Sequence, residues 1–363
     1  MRCSLNQYLR NSGADIAGRS IDLLVMGNQS ADLDSMVSAI VFAYIRSAAQ
    51  PEKNIIPLMP IARADFKLRT EAVYVFEQAG IDPVHLVFLD DVPLRCLMER
   101  VRGLALVDHN RLSPMFADYA DKVRAILDHH KDEGLYTHAS PRTIEPMGST
   151  ATLVGELLVR DSPGLLDPSV AALLTGAILL DTVNLAPEAG RVTARDTAAA
   201  FRLMGTCTLD RNQYFEAIQQ AKFHTAGLGT FDLLRKDYKE FVFGMSRCGI
   251  ASVFHSVQQW AETDPSLCAG FAAYARQQNL DVLLSMNAYE DPEFKRDLAV
   301  YCADPLLHDR LVTFFQANNL GLTSLSLSGQ QSCSQGKISF YNQSNTGVSR
   351  KKISPLLDTY FTD

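Results

Sequence analysis

Seven ionisable side chains stand at the ends of apolar runs: Asp32, Asp34, Asp108, Asp128, His129, His130 and Asp181. Leu104-Ala105-Leu106-Val107 runs into Asp108-His109-Asn110, and Ile126-Leu127 into Asp128-His129-His130. Ile21-Asp22-Leu23-Leu24-Val25-Met26-Gly27 ends in Asn28, with Asp32 and Asp34 close behind. An apolar run that stops abruptly at carboxylate and imidazole reads as a buried strand delivering polar groups at its C-terminal tip. Open α/β sheets place their chemistry there. Carboxylates crowded in this way repel one another and raise each other's pKa. Divalent cations remove the conflict, and a set of carboxylates, imidazole and amide suits Mg²⁺ or Mn²⁺, with no thiolate at the tips to favour zinc. Two such metals about 3.5–4 Å apart, bridged by one carboxylate, would activate a water and hold the phosphoryl oxygens it attacks.

The elements that must position these groups follow from hydrophobic spacing. Strand Asp22–Met26 leads to helix Asp34–Ala49, whose apolar residues recur at helical intervals and which Pro51 stops. Strand Asn54–Met59, helix Lys67–Gln78, strand Val84–Leu89 and helix Pro93–Val101 precede the strand that ends at Asp108. Apolar strands alternating with amphipathic helices at short intervals predict a mainly parallel sheet with helices on both faces. After His130 a loop is expected from Lys131 to Met147. A hydroxyl of Gly148-Ser149-Thr150 then caps a helix over Ala151–Val159. Helix Ser169–Leu180, opened by Pro168, is apolar all round and must be buried; it ends in Asp181, a costly place for a carboxylate unless something positive binds it. Beyond 206–211 the expected order is helix Asn212–Lys222, strands Phe241–Gly244 and Ile250–Phe254, helix Ser266–Gln278, strands Asp281–Asn287 and Asp297–Tyr301, helix Pro305–Gln316 and two last strands. That is a mixed α+β pattern.

Composition bounds the function. At 363 residues the chain is long for one core, and 47% hydrophobic with 21% charged residues is ordinary globular usage. No apolar run of about 18 residues suggests a membrane span, and the N-terminal stretch lacks the apolar segment of a secretory signal. The seven cysteines stand singly without a CxxC pair, as free thiols in a reducing compartment would; a cytoplasmic address is the default expectation. A net charge of −7 argues against wholesale nucleic-acid binding, but not against an anionic ligand held by metals and a local basic cluster.

Asn28-x3-Asp32-x-Asp34, Val107-Asp108-His109-Asn110, Asp128-His129-His130 and Asp181 resemble, in order and spacing, the four motifs of the DHH phosphoesterases, in the branch that contains the family II inorganic pyrophosphatases. Gly27-Asn28-Gln29-Ser30-Ala31-Asp32-Leu33-Asp34-Ser35 is most similar to the eukaryotic exopolyphosphatases and Prune proteins. The resemblance runs on through Gly148-Ser149-Thr150-Ala151-Thr152, Leu180-Asp181-Thr182-Val183-Asn184, Gln220-Ala221-Lys222-Phe223, Leu234-Arg235-Lys236-Asp237 and Ser349-Arg350-Lys351-Lys352. It implies an α/β fold with a mainly parallel-sheet DHH domain over residues 1–205 and a smaller mixed α+β DHHA2-type domain over 212–363. The active site would lie in the interdomain cleft, closed by a hinge at 206–211.

The same resemblance implies two or more divalent cations, Mg²⁺ foremost with Mn²⁺ as the other candidate. Asp32 would bind one metal, Asp34, His129 and Asp181 the other, and Asp108 would bridge. His130 would donate to the phosphate or the leaving oxygen, and Lys222, Arg350 and Lys351, expected from the second domain, would clamp phosphate oxygens. Where the pyrophosphatases begin their first motif with His, this chain has Asn28; its amide oxygen would be a harder ligand, direct or through water, which moves preference from Mn²⁺ towards Mg²⁺. Asp128, His109 and Asn110 are expected to orient neighbours rather than bind metal. Asp90 and Asp91 match no motif position and read as turn residues. Ser149 and Thr150 either receive phosphate or cap, and Arg235, Lys236 and Lys239 either line a polyphosphate channel or form a solvated face.

The activity so implied is metal-dependent release of orthophosphate from the end of inorganic polyphosphate. Its alternatives are a pyrophosphatase or a Prune-like phosphodiesterase on short polyphosphates or nucleotides, and, in another class, a polyphosphate-binding protein without turnover. The expected partners are polyphosphate and orthophosphate, with no nucleic acid and no membrane, and the chain is expected to act as a monomer.

Overall fold

The computed structural model describes residues 3–362 apart from 17, 226 and 328–334. Internal contacts divide the chain into two compact units, Met1–His224 and Thr225–Asp363, each built on its own six-stranded sheet.

In the first unit, α1 (Leu5–Asp15) precedes β1 (Leu23–Met26), α2 (Leu33–Ala49), β2 (Ile55–Met59), α3 (Thr70–Gln78), β3 (Val87–Phe88), α4 (Leu94–Arg100), β4 (Leu104–Val107), β5 (Val123–Asp128) and β6 (Arg142–Ile144). Helices α5 (Thr150–Asp161), α6 (Pro168–Asp181), α7 (Ala194–Met204) and α8 (Arg211–Phe223) complete it. The strand order is β3-β2-β1-β4-β5-β6, every pairing parallel. Successive side chains explain the apolar runs: Val25, Ala105 and Val107 enter the core under α2, α5 and α6, while Leu24, Met26, Leu104 and Leu106 enter the core under α4. With both faces covered, every strand position must be apolar. From β1 the chain goes to β2 on one side and returns to β4 on the other. The crevice beyond the C-terminal ends of β1 and β4 is therefore the switch point of the sheet, where such folds bind ligands. Asn28 follows β1 and Asp108 follows β4.

Several boundaries depart from expectation for local reasons. Pro83 opens a single 3-10 turn capped by Asp82, which reduces the strand expected at 84–89 to the two residues of β3. A 3-10 segment, Arg63–Leu68, takes the start of the helix expected from Lys67. The expected loop 131–147 contains β6, which pairs with β5. Helix α8, expected with the second domain, packs on α3 and α6: Tyr214 and Ile218 are buried in the first core, and the Tyr214 hydroxyl donates to the Ala172 carbonyl. Lys222 accordingly lies in the first unit.

The second unit comprises α9 (Thr230–Lys236), β7 (Tyr238–Phe243), β8 (Ser246–Val253), α10 (Val257–Thr263), α11 (Leu267–Gln277), β9 (Val282–Glu290), β10 (Phe294–Cys302), α12 (Pro305–Ala317), β11 (Leu322–Leu325), β12 (Lys337–Gln343) and α13 (Arg350–Thr362). Its sheet, β11-β12-β10-β9-β8-β7, is mixed: β8 and β9 are parallel and the other pairs antiparallel. Leu283 and Ala299 face the helices around Trp260, and Leu284, Leu298 and Val300 face α12 and α13. No helix among the described residues is long and apolar enough to cross a membrane. The six described cysteines are free thiols, and Cys333 lies outside the described residues.

Candidate metal centre and active site

Asp32, Asp34, Asp108, His129, His130 and Asp181 line one open cleft of about 530 Å³ in the first unit. Its other wall is Pro146-Met147-Gly148 and Gly190-Arg191-Val192-Thr193. Three strand ends and one helix end thus deliver the acidic and imidazole groups that the sequence pattern singled out.

Asp108 sits at the centre. Its backbone is left-handed (φ +64°), a conformation that aspartate tolerates better than most residues, and its side chain is only 2% exposed. Oδ1 accepts from the Thr150 hydroxyl at 3.0 Å, and Oδ2 accepts from Asn28 Nδ2 at 2.7 Å. His129 Nε2 stands 3.3 Å from Oδ1 and His130 Nδ1 3.7 Å from it. Ligand-capable atoms of these three residues fall within 4.8 Å of one another. Burial, followed by the charge of Asp34, pushes the Asp108 carboxyl up to about 7, although His129 pulls it down.

Asp34 is held by the start of α5. Thr150 N–H donates to Oδ2 at 2.7 Å, and Ala151 N–H and the Ser38 hydroxyl donate to Oδ1 at 2.8 and 2.9 Å. The positive end of a helix suits a buried carboxylate. Ser149 caps α5 by accepting from Ala151 N–H. The Ser149 hydroxyl therefore caps, while the Thr150 hydroxyl supports the Asp108 carboxylate. Asp32 caps α2 by accepting from Ser35 N–H, and its carboxyl is raised by desolvation in the crowded cleft and by Asp34.

Asp181 carries the clearest electrostatic debt. Its Oδ2 is buried and, among the described residues, has no hydrogen-bond partner. Burial, then the charges of Asp34 and Asp32, raise its pKa well above the carboxylate range, with only partial relief from Ser149. An orphaned buried oxygen beside three more carboxylates and two imidazoles fits a divalent cation of the Mg²⁺ or Mn²⁺ class, for which this donor set is suited.

The imidazoles are pre-set. His129 Nδ1 meets the Met147 carbonyl at 2.9 Å, which leaves Nε2 towards Asp108. Burial disfavours its charge, but Asp108 and Asp34 outweigh burial and bring His129 to about 10. Asp128, fully buried, accepts from His130 Nδ1 at 2.8 Å and from the Asn110 amide, and so fixes the ring of His130 with Nε2 unengaged by Asp128. That hydrogen bond raises the His130 pKa against the effect of burial. Asn110 also receives Glu133 N–H, and His109 Nδ1 meets the Val107 carbonyl. Asp128 and Asn110 thus hold neighbouring groups in place, whereas among the described residues His109 is shown only against the Val107 carbonyl.

Asn28 is brought to the cluster differently from expectation. Its amide nitrogen faces Asp108, while its amide oxygen accepts from Ala31 N–H at 3.1 Å. Lys222 is exposed near the end of α8 and is not among the cleft-lining residues. In the second unit, Arg350 donates from Nη2 to Asp237 Oδ1 at 2.8 Å, Lys351 is exposed in the first turn of α13, and Lys239 is exposed on β7. Arg235 pairs with Asp232 and lies over the Phe231 ring. Asp90 and Asp91 serve the turn: they receive Arg63 through its backbone N–H and its guanidinium.

Sequence reasoning did not single out Asp196. Fully buried, it accepts from Gly148 N–H at 2.9 Å, from Thr193 N–H and hydroxyl at 2.7 Å each, and from the Thr152 hydroxyl at 2.6 Å. It ties the 190–193 wall to the start of α5. Its signal was the capping box Thr193-x-x-Asp196 at the head of α7.

The profile of the DHH family, N-terminal domain, matches residues 22–178, and that of the DHHA2 domain matches 216–360. Exopolyphosphatase PRUNE1 of Bos taurus is 31% identical over 364 residues, covering 97% of this chain and 78% of its own. The manganese-dependent inorganic pyrophosphatase of Methanocaldococcus jannaschii is 30% identical over 240 residues, 63% of this chain and 70% of its own. In fold, the chain is similar to the crystal structure of a candidate family II inorganic pyrophosphatase of Methanococcus jannaschii, with a TM-score of 0.50 and 22% identity over 94% of this chain and 100% of that one. With both domain profiles matched and a likeness to PRUNE1 over 97% of this chain, the chain belongs to the DHH family, in its exopolyphosphatase and Prune branch, and is a hydrolase of phosphoanhydride bonds.

Proposed function

We propose that the chain is an exopolyphosphatase that hydrolyses the terminal phosphate of inorganic polyphosphate with divalent cations, Mg²⁺ foremost. The observation that carries this reading is the buried Oδ2 of Asp181, unpartnered among the described residues, in a cleft where four carboxylates meet two imidazoles. Asp32, Asp34, Asp108, His129 and Asp181 are the residues that would hold the cations. Divalent cations held there would offset the charge of the carboxylates and supply Lewis acidity towards a water and the phosphoryl oxygens. Asn28 acts on the ligand set through its hold on Asp108. His130, with Nδ1 committed to Asp128, offers Nε2 as donor to a phosphate oxygen or to the leaving oxygen. Lys222, Arg350 and Lys351 are proposed phosphate contacts, and an active monomer in the cytoplasm, independent of nucleic acid and membrane, accompanies the reading.

The relatives support a phosphoanhydride substrate: PRUNE1 is named an exopolyphosphatase, and the archaeal relative a manganese-dependent inorganic pyrophosphatase. The latter gives a second reading, in which pyrophosphate is the preferred substrate. Orthophosphate release from polyphosphates of defined length, set beside pyrophosphate and a cyclic nucleotide in Mg²⁺ and in Mn²⁺, decides between them. Preference for long chains supports the proposal, and preference for pyrophosphate defeats it.

A further inference from the structure

Among the residues that line the cleft is one arginine, Arg191. Its side chain is exposed and, among the described residues, makes no hydrogen bond and no ion pair. That is unusual for a guanidinium in a cleft with four carboxylates. The carboxylates instead point elsewhere, Asp108 to Asn28 and Thr150, and Asp34 to the backbone of α5.

The backbone beneath Arg191 is, by contrast, fixed. Gly190 takes a left-handed conformation (φ +65°), and the Arg191 carbonyl lies so close to Gly148 that a Cβ there would sit 2.6 Å from it. Asp196 joins Gly148 to Thr193 through one carboxylate oxygen. A rigid base under an unengaged guanidinium is a prepared anion contact, since arginine offers a planar fork of donors and no acceptor.

We propose that Arg191 is a substrate-binding residue of this cleft, contacting oxygens of the phosphate next to the one released. This rests on the polyphosphate reading and adds to it a contact from the catalytic domain itself. That phosphate carries the leaving oxygen, on which charge builds as the terminal P–O bond breaks, so a guanidinium on it contributes in the ground state and more in the transition state, and its loss lowers kcat/KM.

The test compares the full chain with Arg191→Ala, Arg191→Gln and Arg191→Lys on tripolyphosphate in Mg²⁺, together with calorimetric binding of a non-hydrolysable imido analogue of tripolyphosphate. The neutral variants should lower kcat/KM by about 10–100-fold, the range for hydrogen bonds to a charged group. Lysine, which keeps the charge without the fork, should fall between. Analogue affinity should drop in parallel while the melting temperature holds. Unchanged kcat/KM and analogue affinity in Arg191→Ala would overturn the assignment, as would a lysine variant as impaired as alanine. A wild-type chain that hydrolyses no polyphosphate refutes the underlying reading instead, and analogue binding then still decides whether Arg191 contacts phosphate.

Discussion

Asp181 shows how one atom can report an absent counter-charge. Replacing its carboxylate by an amide of the same shape removes the like-charge repulsion with Asp34 and Asp32 and also removes a proposed metal ligand, so the two effects have opposite signs. Asp181→Asn should melt higher than wild type without divalent cations and gain little when Mg²⁺ is added. Its hydrolysis should fall by more than the about 10–100-fold usual for residues that only orient ligands. Thermal melts with EDTA and with Mg²⁺ check both signs. Asp128 is a case of that milder kind. Asp128→Asn withdraws the charge that raises the His130 pKa. If protonated His130 is the donor, the alkaline limb of kcat/KM should move to lower pH, with a rate loss of about 10–100-fold, in a pH–rate profile.

At the scale of elements, the turn before α5 joins both walls of the cleft. A Cβ on Gly148 would lie 2.6 Å from the Arg191 carbonyl and from Thr182 Cγ2. Gly148→Ala should therefore destabilise by about 1–3 kcal/mol, as overpacking in a tight site does, which denaturant unfolding would measure. This turn also marks where sequence reasoning stops. Asp32, Asp34, Asp108, His129 and Asp181 were legible because charged types at the ends of apolar runs are conspicuous. The parallel sheet was legible because burial on both faces forces unbroken apolar strands. The Met147 carbonyl that orients His129 leaves no trace, since every residue has a carbonyl. Arg191 was missed because an arginine in a glycine-bearing loop reads as solvated, and β6 because Arg142-Thr143-Ile144 is too short to show alternation. Helix α8 had its ends read closely, but helical periodicity shows which face is buried and not which domain buries it.

For the molecule as a whole, the clustered charges link stability to pH and to cations. A carboxyl whose folded pKa is raised binds more protons folded than unfolded, so it favours folding at low pH and loses that contribution as pH rises. For Asp108 the window runs from the ordinary carboxylate range near 4 up to about 7. His129, raised to about 10, favours folding below its ordinary pKa and loses that contribution as pH climbs towards about 10. Asp128, held below the ordinary carboxylate range, works the other way at acid pH. The metal-free protein should therefore lose melting temperature between about pH 5 and 8, and Mg²⁺ should raise it more at pH 8 than at pH 5, because cations compete with protons for the same oxygens. Scanning calorimetry across that range with EDTA or Mg²⁺ checks the sign; a protein that gains stability as pH rises without metal would contradict it.

The central claim is that the cleft is a divalent-cation site that removes phosphate from the end of a polyphosphate chain. The most direct measurement follows product lengths over time from polyphosphates of defined length in Mg²⁺, for wild type and Asp108→Ala, with an EDTA control. The account predicts orthophosphate and successively shortened chains from wild type, abolished by EDTA and by the substitution. Cleavage that persists in EDTA, or an Asp108→Ala variant as active as wild type, would contradict it.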